Sequence, residues 1–386
     1  MKAGWTEVAL GEVVSPAPTV RAGAATYPIL SMTMHAGLVN QSTKFTKRVA
    51  SRETADYRVV RSGQLVVGFP IDEGVLAIQR LHPEGIVSPA YGVWDPVDRR
   101  IDARYLELYL RSPRAMSYYR TRLRGTTARR RSLPNDVFRS LPVPLPALDE
   151  QRRIAAILDQ ADELRAKRRV AIAHIDSLTE AIFLDMFGDP VSNPMSWPVT
   201  SIRDLAESLT YGSSEKALPA GRIPVLRMGN LTSTGRIITG DLKYVDEAKD
   251  KHLLEPGDLV FNRTNSAELV GKTAVFNQSG TWAYAGYLVR LRLTEAAEPT
   301  YVGAFMNLPS TKLKLRSMCK SIVGMANINA KELGTIRLPV PPIAAQRVFA
   351  QAVNAAENER LHADSATTQL DALFASLQAR AFAGEL

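Results

Sequence analysis

The sequence predicts an α+β protein: two pseudo-twofold-related globular α/β domains separated by two long helices that form an antiparallel coiled coil. Three observations lead there. The 386-residue chain repeats itself at a period of about 195 residues. Each repeat closes on a long stretch with neither proline nor glycine, from Glu150 to about Phe187 and from about Ala344 to Phe382. Charge follows the same division: residues 1–146 carry 21 Lys+Arg against 12 Asp+Glu, and 191–342 carry 18 against 13, whereas 147–190 carry 6 against 9 and 343–386 carry 3 against 5. The boundaries read from this are domains 1–146 and 191–342, and helices 147–190 and 343–386.

The repeat rests on four matched pairs in the same order. GWTEVALGEV at Trp5 answers SWPVTSIRDL at Trp197, and YPILSM at Pro28 answers IPVLRM at Pro224. VRSGQLVV at Gly63 answers LEPGDLVF at Gly257, and Pro144, Gln151 and Arg152 match Pro339, Gln346 and Arg347 at a constant offset of 195. Two long copies imply duplicated domains, because solenoids use short repeats in three or more copies. Each copy opens with scattered Gly and Pro and short β-rich runs after glycine turns, Gln64–Phe69 and Asp258–Phe261. A helical stretch follows near Ala103–Arg124 and Val302–Lys320. A proline-rich bridge, Leu141–Pro146 or Leu338–Pro342, then forces an extended entry with helix beyond it.

In the first long helix Ile154, Leu158, Ala161, Ile172, Ile175 and Ile182 step by three and four. In the second the same spacing selects Val348, Ala352, Leu370, Leu373 and Leu377. The stripes turn polar midway, at Arg165 and Arg168 and at Glu359 and His362, so opposite charges face each other if the helices run antiparallel. A 38-residue helix is about 57 Å long. Such a helix with one apolar stripe needs a partner, and the other copy is the obvious one.

Composition removes several functions. At 45% apolar and 23% charged residues the chain is globular, neither disordered nor fibrous. No apolar run reaches the roughly 18 residues of a membrane span, and MKAGWTEVAL has no signal-peptide core. One cysteine, Cys319, excludes an internal disulfide and a cysteine zinc site, and five scattered histidines give no metal-ligand spacing. The expectation is a soluble cytoplasmic protein with no cofactor. A net charge of +9 and a pI near 9.6 point to an anionic partner, most often nucleic acid.

The junctions LPVPLPALDEQRRIAAILD (Leu141–Asp159) and LPVPPIAAQRVFAQAV (Leu338–Val353), with the helix running into IFLDMFGDP (Ile182–Pro190), carry a family likeness. The chain resembles the specificity (S) subunit of Type I restriction–modification enzymes over its whole length, in the order variable domain, helix, variable domain, helix. The second junction departs from the pattern, with Ala344-Ala345-Gln346 where the first has Asp149-Glu150-Gln151. The resemblance implies that each basic domain reads one half of a bipartite, gapped DNA target, and that the helices set the spacing. It implies docking of two adenine-N6 methylase subunits and, indirectly, a restriction subunit, with no catalysis by the S subunit itself. Because the two domains differ in sequence, the target should be asymmetric.

Candidate double-stranded DNA contacts come from basic and polar loops. YYRTRLRGTTARRRSLPNDVFR packs seven arginines into 20 residues and contributes Arg120, Arg122, Arg124, Thr126, Thr127, Arg129, Arg130 and Arg131. Arginine holds phosphate as a fork or reads guanine bidentately; most such contacts position rather than specify. The second copy contributes Lys314, Lys320 and Asn327, NRTNSAELVGKT contributes Arg263, Thr264, Asn265 and Lys272, and RMGNLTSTG contributes Arg227 and Asn230. VGKT lacks the first glycine of a phosphate-binding loop, which argues against nucleotide binding. The tryptophans read as core. Two alternatives stay open: an S-like recognition subunit of another defence complex, and a coiled-coil scaffold without a DNA role. An intrinsic methylase or nuclease is disfavoured, since no strand leads into a Gly-rich cofactor loop and NPMSWP lacks a flipped-base pattern.

Overall fold

The computed structural model describes residues 4–34, 36–44, 53–123, 133–266, 269–322 and 325–386. Its contacts divide the chain into two compact units, Met1–Arg168 with Ala366–Leu386, and Arg169–Ser365. Each unit therefore holds one globular domain and part of both long helices.

In the first unit a four-stranded antiparallel sheet runs in the order Val14–Pro16, Gly92–Pro96, Leu65–Val67, Leu76–Ile78. Helices Ala103–Leu110 and Pro113–Arg120 cover it. Asp102 caps the first by accepting from the Arg104 and Tyr105 amides, and Ser112 caps the second, whose first residue is Pro113. The expected helical stretch is thus two short helices, broken where proline cannot continue the first. The proline bridge forms strand Pro142–Leu145, paired with Thr6–Ala9. Trp94 is buried in this core and Trp5 packs against it.

The second unit repeats that order, with the first three strands longer: Ala206–Tyr211, Leu288–Leu293, Leu259–Asn262, Thr273–Val275. Helices Pro299–Asn307 and Pro309–Met318 both begin at prolines, and strand Arg337–Pro339 pairs with Val199–Ser201. It adds a mixed sheet, Lys243–Val245, Ile223–Leu226, Trp282–Tyr284, Leu253–Leu254, and a small sheet joining Thr264–Asn265, Met325–Asn327 and Lys320–Ile322. The duplication read from sequence is a duplication of sheet order.

The long helices span Leu148–Phe187 and Ile343–Ala383. Both end on left-handed glycines, Gly188 at φ +74° and Gly384 at φ +79°. They run antiparallel within each unit: Arg165 pairs with Asp371 in the first, and Phe183 meets Phe349 in the second. On the first helix the stripe stands as expected, with Ile154 and Leu158 fully buried and Ala161, Ile172, Ile175 and Ile182 half-buried.

The second helix corrects the expectation at two positions. Val348 is 56% exposed and Leu373 52% exposed, while their neighbours Phe349 and Phe374 face inward. Alanines surround Val348 on several faces, so the apolar pattern there is degenerate. Phe349 breaks the tie because its ring packs against Phe183 and Phe187, and Phe374 does so by lying beneath the Arg165 guanidinium, 4.4 Å from ring centroid to Cζ. Ala352, Leu370 and Leu377 remain half-buried on the seam. The facing charges are also not those expected. Glu359 and His362 point outward, and Arg165–Asp371 and Arg360–Asp176 supply the cross-helix pairs.

Candidate nucleic-acid interface

Each globular domain is seated on the helix that follows it by a buried glutamine. Gln151 Nε2 donates to the Pro146 and Arg100 carbonyls, both at 2.8 Å, and its Oε1 accepts from the Asp102 amide at 2.7 Å. Gln346 donates to the Pro341 carbonyl at 2.7 Å and accepts from the Glu298 amide at 2.9 Å. A tyrosine hydroxyl completes each seat, Tyr105 onto the Pro144 carbonyl at 2.9 Å and Tyr301 onto the Pro339 carbonyl at 2.7 Å. The junction motif is therefore a hydrogen-bonded latch: the extended prolines offer carbonyls and no donors, and glutamine supplies both donor and acceptor in one side chain. Burial pushes the Tyr105 and Tyr301 hydroxyls far above the ordinary range, so they stay protonated donors.

In the first unit, Arg120 ends helix Pro113–Arg120, exposed, and donates to the Asp72 carbonyl at 3.2 Å. Arg122 holds its guanidinium carbon over Tyr118, 3.9 Å from the ring centroid, and its Nη1 donates to Thr121 Oγ1 at 2.8 Å. With Nη1 committed, the Nε–Nη2 edge is what remains for a phosphate or a base edge. Arg124, Thr126, Thr127, Arg129, Arg130 and Arg131 lie outside the described residues.

In the second unit, Arg263 leaves strand Leu259–Asn262 and is fixed on three sides. Its amide donates to the Tyr287 carbonyl at 3.1 Å, its Nε to the Gly286 carbonyl at 3.0 Å, and its guanidinium lies 5.0 Å from the Tyr211 centroid. Tyr211 and Tyr287 are both exposed; the Tyr211 ring lies against the cation and Tyr287 contributes its backbone carbonyl, a grouping that no contiguous motif announces. Gly212 makes the approach possible, since a Cβ there would sit 2.3 Å from the Tyr284 carbonyl oxygen. Asn265 is half-buried beside it, and Lys314 is exposed on helix Pro309–Met318. Lys320 opens a strand.

Five sequence-selected residues spend side-chain groups on partners within the domain, a correction to their assignment as surface contacts. Asn230 is 3% exposed, its Oδ1 accepting from the Arg227 amide and its Nδ2 donating to the Ile238 and Asp241 carbonyls. It closes a turn, the job a short amide side chain does best. Thr264 is buried and accepts from Asn327 Nδ2 at 3.1 Å, so those two side chains satisfy each other. Lys272 donates to the Leu231 carbonyl at 3.0 Å. Arg227 is tied to Asp241 at 3.0 Å, with part of its guanidinium still open to solvent.

A second buried ammonium holds the same loop. Lys312 donates to the Gly271 carbonyl and, at 2.8 Å, to Asn307 Oδ1. Burial, with Lys272 and Arg316 nearby, pushes its pKa down to about 7. Among the described residues no group of three His, Cys, Asp or Glu side chains is placed to hold a metal, and no helix is long and apolar enough to cross a membrane.

No family model matches the chain. The EcoKI specificity subunit of Escherichia coli K12 is 26% identical over 276 residues, 64% of this chain and 58% of that protein. The StySPI specificity subunit of Salmonella potsdam is 23% identical over 336 residues, 81% of this chain and 72% of that one. A chain in a solved structure on assembly of the type I restriction–modification system superposes with a TM-score of 0.59 at 19% identity, covering 100% of this chain and 99% of that one. The chain is similar to the specificity subunits of Type I restriction enzymes. The S subunit from M. genitalium shares the fold at a TM-score of 0.54 and 13% identity, covering 98% and 96%. This chain spans 58% of the length of the EcoKI specificity subunit. What it shares with the solved structures is the fold.

Proposed function

We propose that this chain is the sequence-reading subunit of a Type I restriction–modification enzyme: a non-catalytic protein that binds an asymmetric, two-part, gapped DNA sequence and docks two adenine-N6 methylase subunits and a restriction/translocase subunit. The observation that carries the reading is the pair of matched, glutamine-latched domains whose loops differ. The same sheet order is mounted on the same helix pair in each unit, while Arg122 on Tyr118 in one and Arg263 beside Tyr211 in the other present different chemistry to a ligand. Two unlike reading surfaces on a duplicated frame suit a target with two unlike halves. Ordered guanidiniums suit phosphate and guanine edges. The net charge of +9 has the sign that DNA requires.

Modified-base sequencing of host DNA, with and without this gene, tests it. Loss of one gapped, asymmetric N6-methyladenine motif on deletion is the expected result. An unchanged methylome, in a host that expresses a Type I methylase subunit, refutes it.

A further inference from the structure

Within the second unit, one carboxylate ties together three elements that the sequence gives no reason to join. Asp176, on the first long helix, accepts from Arg236 of the globular domain and, at 2.6 Å, from Arg360 Nε of the second long helix. Arg236 reaches both carboxylate oxygens, its Nη2 lying 3.5 Å from Oδ2. Arg360 also pairs with Asp364 at 2.6 Å. All three members of the triad are less than a third exposed.

Arg236 comes from a turn that is itself rigid. The Thr232 amide donates to the Arg236 carbonyl and the Arg236 amide returns to Thr232 Oγ1, each at 2.9 Å. Lys272 holds the Leu231 carbonyl, and Gly235 packs so tightly that a Cβ would lie 2.6 Å from Asn307 Nδ2. The arginine is a strut from the body of the domain, not a waving side chain.

The domain's other attachment is the seat at the start of the second long helix, where the Gln346 latch adjoins the rings of Phe183, Phe187, Tyr301 and Phe349. Asp176 lies seven residues before Phe183, about 10 Å along the helix. One attachment leaves a domain free to pivot, and two at that separation fix its tilt. A partly desolvated charge triad adds little net stability, because desolvation offsets most of the attraction, but it is demanding about geometry. Its value here is geometric.

We propose that the Arg236–Asp176–Arg360 network is a positioning device that sets the angle of the second globular domain on the helix pair, and with it the gap length at which the second half-site is accepted. This rests on the DNA reading above. Arg236 is the positioning residue, acting through Asp176; its two terminal nitrogens are committed to that carboxylate.

The test uses the full chain with its methylase subunits and DNA duplexes carrying the methylated motif with its natural gap, or with one base pair added or removed. Arg236→Ala leaves the Asp176–Arg360 pair in place, so the helix pair keeps its own link. The expected result is near-natural affinity for the natural gap and a preference over the altered gaps reduced roughly fivefold, the size of a coupling carried by one side-chain network. Arg236→Lys, which keeps the charge, should recover part of that preference. An unchanged gap preference in a folded Arg236→Ala overturns the proposal. So does a uniform loss of affinity at every gap length, which would make Arg236 a phosphate contact. A wild-type complex with no gap preference at all overturns the DNA reading itself, and the device with it.

Discussion

Gln151 makes three hydrogen bonds at the start of the first long helix, and Gln346 makes two at the start of the second. The aromatic packing is unequal in the opposite direction. In the first unit Phe382 meets Tyr105 and Tyr109 at centroid distances of 5.5 and 5.2 Å. In the second, Phe187, at the matching place 195 residues earlier, meets Tyr301, Phe183 and Phe349. Ile154 in one unit stands where Phe349 stands in the other, both fully buried. One seat is held more by polar bonds and the other more by rings. A duplicated joint can keep its geometry while its two copies redistribute the energy that holds it, since backbone carbonyls and apolar volume can each be satisfied by several side chains.

The largest effect is expected where rings are removed. Phe187→Ala should cost about 3–5 kcal/mol in urea unfolding, with Phe382→Ala at the lower end of that range because it loses two ring contacts rather than three. The reverse order would break the comparison. Gln151→Leu comes next, at about 2–3 kcal/mol, because it strands two buried carbonyls and an amide. Gln346→Leu strands one of each and should cost about 1–2 kcal/mol by the same measurement. Equal losses would mean that the third bond, to the Arg100 carbonyl, is idle.

A pH effect should be confined to the second unit, since Lys312, three residues after Pro309, has Met116 at the matching place after Pro113 in the first. Its folded pKa, about 7, lies below the ordinary 10.5. The cost of holding a charged ammonium is therefore fully present below pH 7 and is relieved as pH rises toward the ordinary lysine value. Lys312→Met should remove this dependence. Thermal melts of the variant and wild type should converge between pH 7 and 9; a constant difference between them would place the titration elsewhere.

The smallest effect concerns the helix seam of the first unit. Arg165 pairs with Asp371 at 2.6 Å and covers Phe374. A double-mutant cycle on Arg165 and Asp371 should give a coupling of about 0.5–1 kcal/mol, because Asp371 is half exposed to screening water. A coupling near zero would leave Phe374, packed beneath the guanidinium, as the ordering element.

Much of the frame was legible in the chain. The repeat announced a duplicated plan, and the proline-to-helix junctions located both helix starts to within a few residues. Proline, glycine and a long uninterrupted apolar spacing act locally, through sterics and backbone hydrogen bonding, so a short window contains their signal. The stripe on the first helix was readable because its large aliphatic residues, Ile154, Leu158, Ile172, Ile175 and Ile182, occupy one face. At Val348 the second helix offered alanines on several faces and the pattern misled.

The candidate site was less legible. Basic residues were found, but their direction was not. Asn230, Thr264 and Lys272 look like surface donors in sequence and are spent on internal partners, while Tyr211, whose ring lies against Arg263, and Tyr287, whose carbonyl accepts from the Arg263 amide, are 76 residues apart and share no motif. Nothing local marks Asp176, Arg236 and Arg360 as one group either.

By itself, then, the sequence determined the duplicated plan, the helix starts and stops, and the sign of the charge, all properties of neighbours along the chain. Only the tertiary structure decided which face of the second helix is buried, which polar side chains are consumed inside, and which distant residues share one carboxylate. Those outcomes depend on competition among partners brought together by folding, and a buried donor or ring goes to whichever partner the packed backbone places within reach.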